Sequence, residues 1–470
     1  MPGEFCLCYN STINKEGLVF KKSQHNPADD FAYLPDGAVY FDSACQSLRP
    51  QPVIDAMRQY YQEFNSCGER VRYEWGLKVD QQVTAVRKMI LKALKLSERD
   101  YFVSFTLNTT YGLNLLQSQL DTTKFKRIIT SEIEHNSTFL STIALSKRTG
   151  LKRIVVPRND DGTVDIDQLD LDGAIVVMNA VSNIDGRQLK NIAELTKRTH
   201  AAGGIMIIDA AQTMSHYRDL IAGVPADAIC FSSHKMYGPS LGVMVVRRSL
   251  LQSMSIGFIG GGMVDDVEQD SYQLSAEHKE HDYTAFEAGL QLYAEIIGLG
   301  AAFKWMDEVH KSDHTLDYAS QVIELLKSKP GVHVLNTEVT PTISFYHDTI
   351  DGHLIAEALS DAGIMARSGY FCVHYYLKHV KQYPPLVRLS LGMHNRQSDV
   401  DRFAKAIEGW TKWFVLRHLS FWLLPCWQCR LYGYLIVNWQ LVSCKHSSAR
   451  FIALHVTWRC ARATRRLKMM

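Results

Sequence analysis

Between about residues 100 and 250 the chain repeats one pattern, a short apolar run followed by a stretch with helical spacing. The runs are Tyr101–Phe105, Arg127–Thr130, Arg153–Val156, Ala174–Met178, Ile205–Asp209, Ala228–Phe231 and Val243–Val246. Each has four or five residues and is rich in β-branched or aromatic side chains. Strands this uniformly apolar are buried on both faces, which happens where helices cover a mainly parallel sheet above and below. Gln188–Ala202 has the amphipathic spacing of one such covering helix. The pattern therefore predicts an α/β fold that binds its ligand at the carboxyl ends of the strands.

The flanks differ. Gln51–Asn65 and Val79–Leu94 are expected to be helices. In the second, Val79, Val83, Val86, Ile90 and Leu94 recur every three or four residues. Ala285–Val309 has the length of a long connecting helix. After it, helices at Leu316–Lys329, Gly352–Ala362 and Ser398–Trp413 and strands at Thr342–Tyr346 and Leu386–Leu391 suggest a smaller α+β domain. The expected divisions are an N-terminal segment 1–37, a large domain 38–290, a connecting helix with a small domain 291–410, and a tail 411–470.

A formal net charge of +2 gives no global reason to expect nucleic acid or a membrane surface as partner. Ten scattered cysteines in 470 residues do not make a disulfide framework, so a reducing compartment is expected, and with it a cytoplasmic location. The first thirty residues lack the apolar stretch of a secretory signal.

The chemistry concentrates in Ile207-Ile208-Asp209-Ala210-Ala211-Gln212 and in Phe231-Ser232-Ser233-His234-Lys235-Met236-Tyr237-Gly238-Pro239. Asp209 ends an apolar strand, where a carboxylate is costly unless a cation or donor meets it. Lys235 follows another strand in a loop rich in Ser, His and Gly, a setting suited to Schiff-base chemistry. An acid for a pyridinium nitrogen and a lysine for an aldehyde are what a pyridoxal-phosphate site needs. Taken singly, Asp209 could cap a helix and Lys235 could be a solvated loop lysine.

Together with Val39-Tyr40-Phe41-Asp42-Ser43-Ala44, these segments resemble the class V aminotransferase superfamily of fold-type I pyridoxal-phosphate enzymes. The likeness spans roughly residues 38–410 and is strongest to the cysteine desulfurase and selenocysteine lyase branch. The resemblance implies a mainly parallel seven-stranded sheet with helices on both faces, a smaller α+β domain, and a homodimer. It implies that Lys235 holds the cofactor and shuttles the α-proton, and that Asp209 pairs with the pyridine nitrogen. His135 of Glu134-His135 would stack on the ring, while Asn183 and Gln212 would bond near the ring hydroxyl. Thr109 and Thr110 at a helix start, with Ser232 and His234, would hold the phosphate, where a helix amino-terminus favours an anion. Plain capping by Thr109 or Thr110, a helix-start role for His135 and a turn role for Asn183 are the structural alternatives.

Arg367-Ser368-Gly369-Tyr370-Phe371-Cys372 resembles the branch's Arg-Thr-Gly-His-His-Cys segment, which makes Cys372 the candidate nucleophile. Arg388, in Val387-Arg388-Leu389-Ser390, is the candidate for the substrate carboxylate, since a planar guanidinium suits it. Three departures stand out. Leu290 occupies the place of a threonine that reaches a phosphate across the dimer. Tyr370 and Phe371 replace two histidines. The 411–470 tail has ten Lys or Arg, no Asp or Glu, and five tryptophans. Cys426 and Cys429 have metal-ligand spacing without a second pair, so no metal is expected. The tail reads as an extension unrelated to the family, with a membrane-surface segment as the competing view. The resulting expectation is a cysteine desulfurase-like enzyme that takes sulfur from L-cysteine to leave alanine and passes it to an acceptor protein. Another pyridoxal-phosphate C–S lyase, an aminotransferase, or a non-catalytic scaffold are the alternatives.

Overall fold

In the computed structural model the described residues are 26–410, apart from 69–70, 276–278 and 409. The tail 411–470, with its candidate cysteines, lies outside them.

The elements run β1 (Val39–Tyr40), α1 (Gln51–Glu63), α2 (Glu74–Ala93), β2 (Tyr101–Thr106), α3 (Thr109–Gln119), β3 (Arg127–Ser131), α4 (Asn136–Thr149) and β4 (Lys152–Val156). Then follow β5 (Ala174–Asn179), α5 (Ile192–Ala201), β6 (Ile205–Asp209), β7 (Ala228–Ser232) and β8 (Gly242–Arg247). The remainder is a hairpin β9 (Val264–Val267) and β10 (Tyr272–Leu274), α6 (Tyr293–Val309), α7 (Thr315–Lys327), β11 (Val332–Val334), β12 (Thr342–His347), α8 (Gly352–Asp361), β13 (Ile364–Met365), β14 (Arg367–Gly369), β15 (Leu386–Ser390) and α9 (Gln397–Glu408).

All seven apolar runs become strands of one sheet, in the order β2-β8-β7-β6-β5-β3-β4. The pairs from β7 through β4 are parallel, and β8 runs antiparallel to both its neighbours. Six strands therefore point the same way, and the loops after β2, β3, β5, β6 and β7 gather at one edge. Burial explains the sheet: Ile175, Val176, Val177 and Met178 of β5 are fully buried, alternate side chains packing into separate cores on the two faces. Each such side chain contributes about 1.5–3 kcal/mol relative to exposure. Gly204 lets the chain enter β6, because a Cβ there would lie 2.4 Å from the Ala174 carbonyl oxygen.

A second sheet has the order β11-β12-β15-β14, all antiparallel. The opening strand β1 does not join the large sheet. It pairs in parallel with β13, and Asp42 bridges to Ser390, so residues 39–42 sit beside the later part of the chain. The expected helix over Ala285–Val309 is shorter: a 3-10 stretch ends at Phe286, and α6 begins only at Tyr293. Gly289, with φ +82°, breaks the helical path between them, a conformation glycine adopts without cost. α6 is buried on nearly all sides and packs against α1 and α2. Among the described residues no helix is long and apolar enough to cross a membrane.

Candidate active site

Lys235 closes a 3-10 turn at Ser233–Lys235, directly after β7. The turn is held by close backbone packing: a Cβ on Gly238 would fall 1.9 Å from Ser233 Oγ, and Tyr237 adopts φ +65°. Tyr237 N–H donates to Ser47 Oγ at 2.6 Å, and its hydroxyl accepts from Met393 N–H at 2.9 Å. The Ser-x-His-Lys-Met-Tyr-Gly segment is thus clamped between the opening loop and the chain after β15. Lys235 borders a cavity with Ser43, Ala44, Gln212, Tyr217 and Thr342. Burial pushes its ammonium pKa down, the Asp209 carboxylate opposes this, the Arg388 guanidinium adds to it, and the Cys45 and Cys372 thiols oppose it.

Asp209 ends β6 with 2% exposure. Its Oδ2 accepts from Ser137 Oγ and Thr138 Oγ1, both at 3.0 Å, and Oδ1 accepts from Ala211 N–H at 3.0 Å. These donors satisfy the buried carboxylate, as a charge in that position requires. Ser137 and Thr138 were not singled out from the sequence. Their signal was their place in the first turn of the helix after Glu134-His135.

His135 caps α4, its Nδ1 accepting from Ser137 N–H at 3.0 Å. The structural role weighed for it is thus present. Burial, with Lys235 and Arg388 nearby, lowers its pKa to about 4 against the opposing pull of Asp209, so the imidazole is neutral near pH 7. The preceding Glu134 is buried 3.7 Å from Arg158 and accepts from Ser131 Oγ at 2.5 Å and from Asn179 N–H at 2.7 Å. Burial raises the Glu134 pKa to about 7, with Arg158 opposing.

At the end of β2, Thr109 N–H donates to Ser232 Oγ at 2.8 Å, and the two hydroxyls lie 2.6 Å apart. The side-chain cap of α3 is Asn108, whose Oδ1 accepts from Tyr111 N–H at 2.9 Å, so neither threonine caps the helix. Thr110 is exposed, and its carbonyl accepts from Asn114. His234 is half-buried, and burial with neighbouring Lys235 and Arg49 lowers its pKa to about 4. Gln212 donates through Nε2 to the Ala44 carbonyl at 2.7 Å, which ties the β6 loop to the opening segment.

Arg388, in the middle of the small antiparallel sheet, is 2% exposed. It donates to the Asn183 carbonyl and to Asp42 Oδ1, each at 3.1 Å, and lies 4.8 Å from the centre of the Phe371 ring. Asp42 gives the buried guanidinium its counter-charge, a role that its sequence context does not signal. Asn183 Nδ2 donates to the Phe371 carbonyl at 2.8 Å. Cys372 follows and is exposed. Phe371 and Cys372 both have positive φ, 45° and 60°, so the cysteine stands on a strained turn. Leu290 is 72% exposed and takes no part in this cluster.

Three polar atoms at this edge suit a bound polar ligand: Asn183 Oδ1, Arg388 Nε and Ser43 Oγ are buried without a hydrogen-bond partner. With a half-buried lysine after β7, an acid ending the neighbouring β6 and a hydroxyl pair at a helix start, they fit the donors and acceptors that a pyridoxal-phosphate group requires.

Comparison with known proteins points the same way. The aminotransferase class-V family model matches residues 39–403. A "Probable cysteine desulfurase" of Pasteurella multocida is 30% identical over 408 residues, which are 83% of this chain and 92% of that protein. One of Haemophilus influenzae is 29% identical, covering 83% of this chain and 89% of its own length. Among solved structures, a cysteine desulfurase from Thermococcus onnurineus superposes with a TM-score of 0.74 at 27% identity, over 83% of this chain and 99% of that one.

Proposed function

The chain belongs to the aminotransferase class-V family, and from that premise we propose that it is a pyridoxal-phosphate-dependent cysteine desulfurase acting on L-cysteine. The observation that carries this reading is Lys235, half-buried on the cavity just after β7, with Asp209 at the end of the adjacent parallel strand β6. Bound there, the cofactor supplies an electrophilic aldehyde and a ring that draws electrons from the substrate α-carbon.

The chain's own groups do the rest. Lys235 would hold the cofactor's aldehyde and serve as the base for the proton at the substrate α-carbon; its lowered pKa makes the neutral amine accessible. Asp209, fixed by three donors, would pair with the cofactor's pyridine nitrogen. His135, neutral near pH 7, would pack on the ring. Asn183 offers its unpartnered Oδ1, and Gln212 lies beside Lys235 at the cavity. Thr109, Thr110, Ser232 and His234 would hold the phosphate. Arg388 takes the substrate carboxylate through its unpartnered Nε edge. Cys372 takes the sulfur as the C–S bond breaks and carries it as a persulfide, leaving alanine. Exposure of Cys372 is what such a thiol requires.

The division into a large domain 38–290 and a small domain 291–410 belongs to this proposal, as do a homodimer and a sulfur-acceptor partner. Exposed Leu107, Phe258 and Leu290 are apolar positions that a second subunit would cover. Persulfide chemistry fits a reducing compartment such as the cytoplasm.

The test is alanine production from L-cysteine with a thiol reductant present. Wild type should form alanine, while Cys372→Ala should keep the bound yellow cofactor and form none. Lys235→Ala should lose both the covalently held chromophore and all turnover. No alanine from a wild-type protein that carries the cofactor would favour an aminotransferase or another C–S lyase. A colourless protein would favour the scaffold.

A further inference from the structure

If Cys372 carries sulfur, the acceptor has to come to it. Asn136 N–H donates to the Cys372 carbonyl at 2.7 Å, and Asn183 Nδ2 donates to the Phe371 carbonyl at 2.8 Å, so the backbone under the thiol is held. Val373 N–H donates to the Tyr370 carbonyl at 2.8 Å, which closes the turn. Cys372 itself is exposed. A thiol on so short and fixed a turn reaches only a partner laid across the residues around it, 370–381.

That surface has a definite chemistry. Residues 362–398 contain no Asp or Glu and five Lys or Arg. Three of the five have acidic neighbours: Arg388 pairs with Asp42 at 3.1 Å, Arg396 with Asp29 at 2.9 Å, and Arg367 lies 3.9 Å from Asp42. Lys378 and Lys381 are exposed, and neither has an ion-pair partner among the described residues. Both lie over aromatic rings instead. Lys378 Nζ is 4.3 Å from the centre of the Tyr370 ring, two residues before Cys372, and Lys381 Nζ is 5.6 Å from that of Tyr376. The π-helical turn Tyr375–Val380 buries Tyr376 and Leu377 and leaves Tyr375, Lys378 and His379 exposed. Tyr375 stacks on Phe139 at 4.7 Å, and the Arg153 guanidinium lies 4.2 Å from the centre of that Phe139 ring, so a further cation adjoins the face. Asp185, which with Glu132 acts on the buried Tyr376, is itself paired with Arg187 at 2.9 Å. Ordinary solvated surfaces mix both signs of charge, whereas this stretch carries one. Exposed aromatics are enriched where proteins meet, and cations at the rim steer the encounter.

Resting on the desulfurase reading, we propose that residues 370–381, with Lys378 and Lys381 as their cations, form the landing surface for an acidic segment of a sulfur-acceptor protein, whose cysteine takes sulfur directly from Cys372. The acceptor thiolate attacks the terminal sulfur of the Cys372 persulfide. A bond forms between the acceptor sulfur and that terminal sulfur, and the bond from Cys372 Sγ to the terminal sulfur breaks. Its electron pair leaves on Cys372 Sγ, which takes up the proton given by the acceptor thiol. One persulfide and one thiol become one thiol and one persulfide, so no external oxidant or reductant enters. The two lysines act on the encounter: they raise the local concentration of the acidic partner and orient it.

The experiment supplies the holoprotein with L-cysteine and offers three synthetic peptides of equal length, each with one cysteine flanked by glutamates, by serines or by lysines. Initial rates of peptide persulfide formation are followed by mass spectrometry and divided by each peptide's rate with a small disulfide, which removes differences in thiol reactivity. The glutamate peptide should accept sulfur about tenfold faster than the lysine peptide at low ionic strength, and the advantage should shrink as salt rises toward ~1 M. Lys378→Glu/Lys381→Glu should reverse the order while alanine formation with dithiothreitol stays at the wild-type level, and Lys378→Arg/Lys381→Arg should keep the order. Equal normalised rates for the three peptides with wild type overturn the landing surface, and that arm needs no variant. A glutamate preference that survives the double reversal also overturns it, since the preference then belongs to other cations, such as those of residues 411–470. Absence of alanine from wild type overturns the parent reading instead.

Discussion

Individual side chains at this site are fixed by partners far away in sequence. Asp42 and Arg388 are 346 residues apart yet 3.1 Å from each other. Removing Asp42 leaves the buried Arg388 guanidinium without its counter-charge in an interior that does not solvate it. Asp42→Ala is therefore expected to destabilise the fold by about 3 kcal/mol, seen as a lower urea midpoint with little change in slope. Asp42→Asn should recover part of that loss, because the amide oxygen still accepts from the guanidinium. A midpoint unchanged in both variants would show that Arg388 is satisfied without Asp42. The strained pair Phe371–Cys372 belongs to the same scale. Nothing in the composition of Tyr-Phe-Cys signals positive φ, which arises because two carbonyls are captured by Asn183 and Asn136.

Elements carry these residues to one edge. β2, β3, β5, β6 and β7 end at one edge of the sheet, and each carries a candidate at its end or in the segment after it: Thr109, His135, Asn183, Asp209 and Lys235. The run lengths in the sequence predicted these strands to within a residue or two at each end. The start of α6 was misplaced, because apolar content through Ala285–Leu292 mimics a helix while Gly289 turns the chain away. At α3, capping falls to Asn108, which leaves Thr109 free to meet Ser232. Asn108→Ala should cost about 1 kcal/mol in thermal or chemical unfolding, the usual loss for a capping side chain. It should also weaken retention of the cofactor phosphate, measured by dialysis, since the helix start frays. Unchanged retention would remove α3 from the phosphate site.

At the scale of the whole molecule, three histidines with lowered pKa among the described residues set a common acid response. His135, His234 and His394 each have a pKa lowered to about 4, burial being the largest cause in every case. An unfolded histidine titrates near 6.5. Below that pH the unfolded chain binds protons that the folded chain refuses until about pH 4. Stability from these groups is therefore complete above about pH 6.5 and lost as pH falls toward 4. Glu134 acts in the opposite sense, since its raised pKa favours the folded state at low pH and that gain disappears as pH rises through about 7. The histidines outnumber it, so the cofactor-free protein should lose on the order of several kcal/mol between pH 6.5 and 4, read from denaturant midpoints. A flat profile across that window would show that these rings are hydrated in the folded state.

The sequence by itself determined the sheet and offered candidates for the reactive groups. A strand buried on both faces must be apolar throughout, so its signal survives in one dimension, and the candidates Lys235, Asp209 and Cys372 stand out because they sit in short segments with few other uses. Only the tertiary structure decided the pairings. β1 lies against β13, Asp42 against Arg388, Cys45 against Arg367, and Ser137 and Thr138 against Asp209. Each of these partners is separated by many residues, and each is chosen by which buried charge or donor needs satisfying once the chain has closed. That demand exists only in the folded interior, where water is no longer available to meet it.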